Sequence, residues 1–136
     1  MMIKRVNLKH TVAALGLSLL LCGRAFAQQS SEIDELLEAL RTATPEQAQA
    51  AERNVERAWS RSGSAAMDLL FRRGGDALKD GDDQAAIEHF TALVDHAPDF
   101  AEGYHLRATA YFRAGLMGPA LDDLRQTLAM NPRHFA

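Results

Sequence analysis

From Ser31 onward the apolar residues recur at helical spacing, and no two-residue alternation persists over five positions, so the chain reads as all-α. Ile33, Leu36, Leu37 and Leu40 make one stripe on a short helix after Ser31, with Asp34 placed to complete a capping box. "TPEQ" (44–47) reads as the next start: Thr44 as N-cap, Pro45 at the first helical position, Gln47 reaching back. The helix it opens carries Ala48, Ala51, Val55, Ala58 and Trp59 on one side and stops at "RSGS", where Gly63 is the expected left-handed cap. Past Ser64 the pattern tightens into two hairpins. A helix over 65–80 is closed by Gly81, and Asp82 or Asp83 caps a second helix that Pro98 ends. "AEGYHLRATAYFRA" (101–114) is closed by Gly115, and a fourth helix opens at Pro119 and runs up to Pro132.

The hairpins repeat. Gly81 and Gly115, Ala86 and Ala120, Phe90 and Leu124, and Pro98 and Pro132 are each 34 positions apart. Small residues return more faithfully than large ones, for a physical reason. Two antiparallel helices approach closely only where the facing residues are small, while large neighbours can be exchanged if total volume is kept. Gly74, Ala86, Ala108 and Ala120 are the positions expected to set the interhelical distance.

A 34-residue helix–turn–helix unit with this small-residue code resembles the tetratricopeptide repeat (TPR). Leu70, Gly74, Ala77, Ala86, Phe90 and Pro98 fill the consensus places of a first unit, about residues 67–100. Tyr104, Ala108, Tyr111, Ala120, Leu124 and Pro132 fill those of a second, about 101–134. Arg73 and Arg107 depart at the place where leucine is usual. The resemblance implies a TPR-like α-solenoid of helical hairpins, coiled into a right-handed superhelix, over residues 64–136. Residues 28–63 do not fit the code: Gln47, Glu52 and Glu56 fall where Gly, Ala and Phe belong. They are expected to form an N-terminal helical cap whose stripe, ending in Trp59, covers the open side of the first repeat. "WSRSGS" with "MDLL", and "DFAEGY" with "NPRHF", are similar to segments of exported bacterial TPR proteins.

The chain's first residues change what composition means. Lys4, Arg5 and Lys9 precede an apolar run of about a dozen residues, and Ala25 and Ala27 form an Ala-x-Ala site before Gln28. This pattern predicts a secretory signal peptide over 1–27, cut between Ala27 and Gln28, and a mature protein in the periplasm of a Gram-negative bacterium. A retained anchor needs about 20 apolar residues, more than this run supplies. Lipidation at Cys22 would want small residues where Leu19, Leu20 and Leu21 stand. Cutting removes four basic residues and no acidic one, so the formal net charge drops by four from −3, and the single cysteine goes as well. The remaining chain has neither a disulfide framework nor the basic footprint of a nucleic-acid or anionic-membrane binder.

Chemistry is sparse. His89 and His96 lie seven apart on one helix, too far for a paired metal site, and no His-Glu-x-x-His, phosphate loop or Gly-x-Ser-x-Gly is present. Asp82-Asp83 and Asp122-Asp123 read as a cap and a solvated helix face. No catalytic residue, metal or cofactor is expected. What the TPR resemblance implies instead is a concave groove lined by the first helix of each unit, taking a peptide or helix of another protein. Phe71, Lys79, His105, Thr109, Phe112 and Arg113 are the candidates for that face, with core packing the alternative for Phe71 and Phe112. Phe71, Gly75 and Leu106 stand where a subtype that clamps a C-terminal carboxylate carries Lys and Asn, so that specificity is not expected. The last helix, with Leu121, Leu124 and Leu128, should leave apolar surface for a further helix, a partner or a second copy. Two readings follow: an exported adaptor that binds another protein, or a self-associating or truncated repeat module.

Overall fold

The computed structural model describes residues 31–135, so the signal-peptide reading (Ala25, Ala27, Gln28) lies outside the described residues. Six helices and no strand occur among the described residues: α1 (31–41), α2 (Pro45–Trp59), α3 (Ala65–Asp80), α4 (Asp83–His96), α5 (Ala101–Arg113) and α6 (Met117–Met130). The chain divides into two compact units, Met1–Val55 and Glu56–Ala136. The sequence places a boundary eight residues later, at Gly63–Ser64.

In the first unit the stripes decide which faces are covered. Ile33, Leu36, Leu37 and Leu40 of α1 are half-buried between exposed neighbours. Thr44, Pro45 and Gln47 begin α2 as their types dictate: the Thr44 N–H donates to Oε1 of Gln47 at 3.3 Å, and Pro45 is the first helical residue. Ala48 and Ala51 are half-buried and Val55 is fully buried.

In the second unit, α3 packs on α4, α4 on α5 and α5 on α6. Its apolar centre is Ala86, Phe90, Leu93 and Ala110, with Leu70, Phe71, Leu78 and Leu106 packed around it. The two hairpin turns have one design. Gly81 (φ +79°) gives its N–H to Leu78 O while Asp82 N–H reaches Ala77 O; Gly115 (φ +78°) and Leu116 do the same to Phe112 and Tyr111. These crossed bonds satisfy the last carbonyls of α3 and α5, and the left-handed backbone they require favours glycine. Asp82, not Asp83, caps α4, its carboxylate accepting from Ala85 N at 3.0 Å.

Three local expectations are corrected. Gly63 is left-handed (φ +78°), but α2 has already ended at Trp59, so Gly63 turns the connector into α3 instead of capping α2. Pro119 is the third residue of α6; the helix starts at Met117, and proline is tolerated there because first-turn N–H groups have no helical acceptor. Trp59 places its ring on His134 and Phe135, which follow the second hairpin.

Candidate functional site: an apolar face on the second hairpin

The small residues meet as the repeat spacing requires. Gly74 is buried against Phe90, and a Cβ added there would lie 2.5 Å from that ring's Cε1. Gly103 sits almost as tightly under α4, its missing Cβ 3.1 Å from Val94. Ala86, Ala108 and Ala120 are all essentially sealed from solvent. Small residues thus set both the distance within each hairpin and the seat of α5 on α4.

The same register exposes a difference between the hairpins. Phe90 and Val94 on α4 are buried, while Leu124 and Leu128, their partners 34 residues on, are 39% and 51% exposed. Phe112, Leu116, Met117 and Leu121 extend this bare strip. Between α5 and α6 it deepens into a groove of about 350 Å³, floored by Ala108 and Ala120 and walled by Thr109, Phe112, Met117, Leu121 and Leu124. Leu124 therefore does not repeat the core role of Phe90: α5 covers α4, and no described helix covers α6 on this side.

The buried side of α6 is polar instead. Asp123, expected on a solvated face with Asp122, is 6% exposed and takes two hydrogen bonds from Arg107, at 2.7 and 2.8 Å. The Arg107 guanidinium lies over the rings of Tyr104 (5.5 Å) and Tyr111 (5.7 Å) and touches Thr91 Oγ1. The Asp123 hydrogen bonds raise the Arg107 pKa above its ordinary value, outweighing burial, so the charge is permanent. Arg107 sits at the repeat's leucine place, and its charge is legible in the sequence; the acidic partner sixteen residues on is not, because a lone Asp-Asp pair looks like any surface.

The six groove candidates part company. Thr109 and Phe112 line the apolar groove, with Phe112 63% exposed. Phe71 turns inward, edge-on to Phe90 and Phe100. Arg113 ties α5 to the first hairpin, donating to Leu78 O at 2.6 Å and lying 2.8 Å from Asp83 in an ion pair not aligned as a hydrogen bond. Lys79 is exposed and paired with Asp76. His105 is half-buried beside His134, and burial holds its pKa below the usual imidazole value, with His134 pushing the same way and Glu102 opposing. Among the described residues no group of three or more His, Cys, Asp or Glu is placed to hold a metal.

Comparison with known proteins points to the same kind of helical repeat. A TPR repeat-containing protein of Rhizobium etli is 29% identical over 112 residues, covering 82% of this chain and 55% of its own length. The hairpins are TPR-like: paired antiparallel helices in a 34-residue register. The chain is also similar to the SGT1 homologues of Bos taurus (38% over 68 residues, half of this chain) and Homo sapiens (34% over 73 residues, 54% of it). The chain spans about half the length of the Rhizobium protein and 20% of each SGT1 homologue. No family model matches the chain, and no solved structure does.

Proposed function

We propose that the chain is an exported, periplasmic adaptor whose second TPR binds a helix of another protein, without catalysis. The observation that carries this reading is the bare apolar strip on α5 and α6, Phe112 to Leu128. The first hairpin shows what shape fits there. Its matching face receives α5, a helix that brings small residues, Gly103 and Ala110, to the crossing. An amphipathic helix with a Gly or Ala at its crossing point is therefore the complementary occupant. Each leucine it covers would contribute up to about 1.5–3 kcal/mol relative to full exposure. Export rests on the basic, apolar and Ala-x-Ala pattern of residues 1–27. No described helix is long and apolar enough to cross a membrane.

The test is capture from a periplasmic extract with wild-type, Leu121→Glu and Lys79→Glu baits. The adaptor reading expects a prey that is lost with Leu121→Glu and kept with Lys79→Glu. Recovery of bait alone, sedimenting as a dimer that Leu121→Glu dissociates, would replace it with self-association through the same strip. Intact mass of the periplasmic species should begin at Gln28; a retained N-terminus in the membrane fraction would replace export with anchoring.

A further inference from the structure

Moved along by 34 residues, one contact of the first repeat returns with its chemistry changed. Phe71 on α3 meets Phe100, two residues past Pro98, with ring centroids 5.7 Å apart. The equivalent positions in the second repeat are His105 on α5 and His134, two residues past Pro132, at 4.6 Å. An apolar lock has become a pair of titratable rings. The His134 side chain is only 5% exposed, and its Nε2 lies 2.7 Å from Oε2 of Glu102, one turn before His105 on α5. Trp59 stacks on the His134 ring at 4.6 Å and 16°, with Phe135 4.9 Å from the indole.

We propose that Asn131–Phe135 is an acid-released clasp, closed on α5 and Trp59 while His105 and His134 carry at most one charge between them and opened when both are protonated. Glu102 is the carboxylate that faces the two imidazoles; Trp59 on the His134 ring and Phe135 on Trp59 are neutral. One carboxylate balances the first proton. The second places like charges on adjacent rings, His134 nearly sealed and His105 half-buried, and burial already resists charge on His105. A group whose closed-state pKa is depressed favours closure fully above its free value, about 6.5 for histidine, and less as pH falls below it. Opening therefore belongs to the mildly acidic range, and it uncovers both Trp59 and the His105 side of α5.

Trp59 is the chain's only tryptophan and reports on the clasp directly. Its fluorescence, read from about pH 8 to about pH 5 beside the far-ultraviolet helical signal, should shift reversibly to the red with helicity unchanged. Replacing both rings by the first repeat's residues, His105→Phe with His134→Phe, should hold the emission blue throughout. Glu102→Gln, which removes the balancing carboxylate, should move the midpoint to higher pH. An emission maximum that stays fixed, a loss of intensity without a red shift, or a shift that follows loss of helix would each overturn the clasp. So would a shift that survives in the double phenylalanine variant or, should that variant fail to fold, a midpoint unmoved by Glu102→Gln.

Discussion

Arg107 and Asp123 face each other through two parallel hydrogen bonds, Nε to Oδ2 at 2.7 Å and Nη2 to Oδ1 at 2.8 Å, with 15% and 9% of their side chains exposed. The pair joins the two helices of the second repeat at the place where leucine is usual, and at that depth its partners depend on each other. Asp123→Ala would strand the guanidinium and is expected to cost about 3–5 kcal/mol, while Arg107→Leu with Asp123→Leu should cost far less or even stabilise. Urea unfolding of the two single variants and the double one measures the coupling. Additive losses would show that the pair contributes no more than its separate contacts.

Two adjacent glycines in α3 predict effects of opposite sign. A Cβ on Gly74 would press into the Phe90 ring at 2.5 Å, whereas one on Gly75 meets nothing within 4 Å. Gly74→Ala should destabilise by about 1–3 kcal/mol, because the hairpin must open or Phe90 must leave its seat. Gly75→Ala should stabilise by about 0.5–1 kcal/mol, since alanine is the better helix former. Thermal unfolding of both resolves the sign, and equal shifts would contradict the close approach of α3 and α4.

Arg113 has a structural role on this geometry. Its guanidinium bonds the Leu78 carbonyl near the end of α3, where the helix dipole is negative, and pairs with Asp83 at the start of α4. Arg113→Ala should lower stability by about 1 kcal/mol, and added salt should narrow the gap from wild type. Lys79→Ala, the same repeat position in α3, should leave stability within about 0.5 kcal/mol of wild type, because its partner Asp76 is exposed. A salt-insensitive loss at Arg113 would mean that the stem's packing, not its charge, holds the hairpins together.

Much of this architecture was legible because local rules and long-range packing agree in it. Gly81 and Gly115 punctuate the sequence, and each carries the left-handed turn its position predicts. The stripe from Ala48 to Trp59 is the covered side of α2. What stayed hidden depends on neighbours that no spacing announces. Asp123 looks solvated until Arg107 is brought beside it from another helix. Phe71 has the position of a groove residue, but Phe90 and Phe100 claim it for the core. The pattern assigns Trp59 to the open side of the first repeat, and its contact with His134 across 75 positions exists only in the fold.

The sharpest contrast between the repeats concerns one position. Phe90 and Leu124 occupy the same place in the 34-residue register, yet Phe90 is fully buried and Leu124 is 39% exposed. The 34-residue register by itself gives both the same role, and only the position of α6 at the end of the series sets Leu124 apart. In the structure α5 packs over α4, and no described helix packs over α6 in the same way. Phe90→Ala removes a whole buried ring beside Gly74, and about 3–5 kcal/mol of stability should go with it. Leu124→Ala removes side-chain atoms already partly in water and lining the groove, so its cost should stay below about 1.5 kcal/mol. Denaturant midpoints at matched slopes make the comparison. A bound helix should reverse the order of tolerance: with the groove filled, Leu124→Ala would weaken the complex, while its small effect on the free protein stays as it was. Equal, large losses at both positions in the free protein would mean that α6 is already covered in solution, and the open groove would then be closed by a second copy.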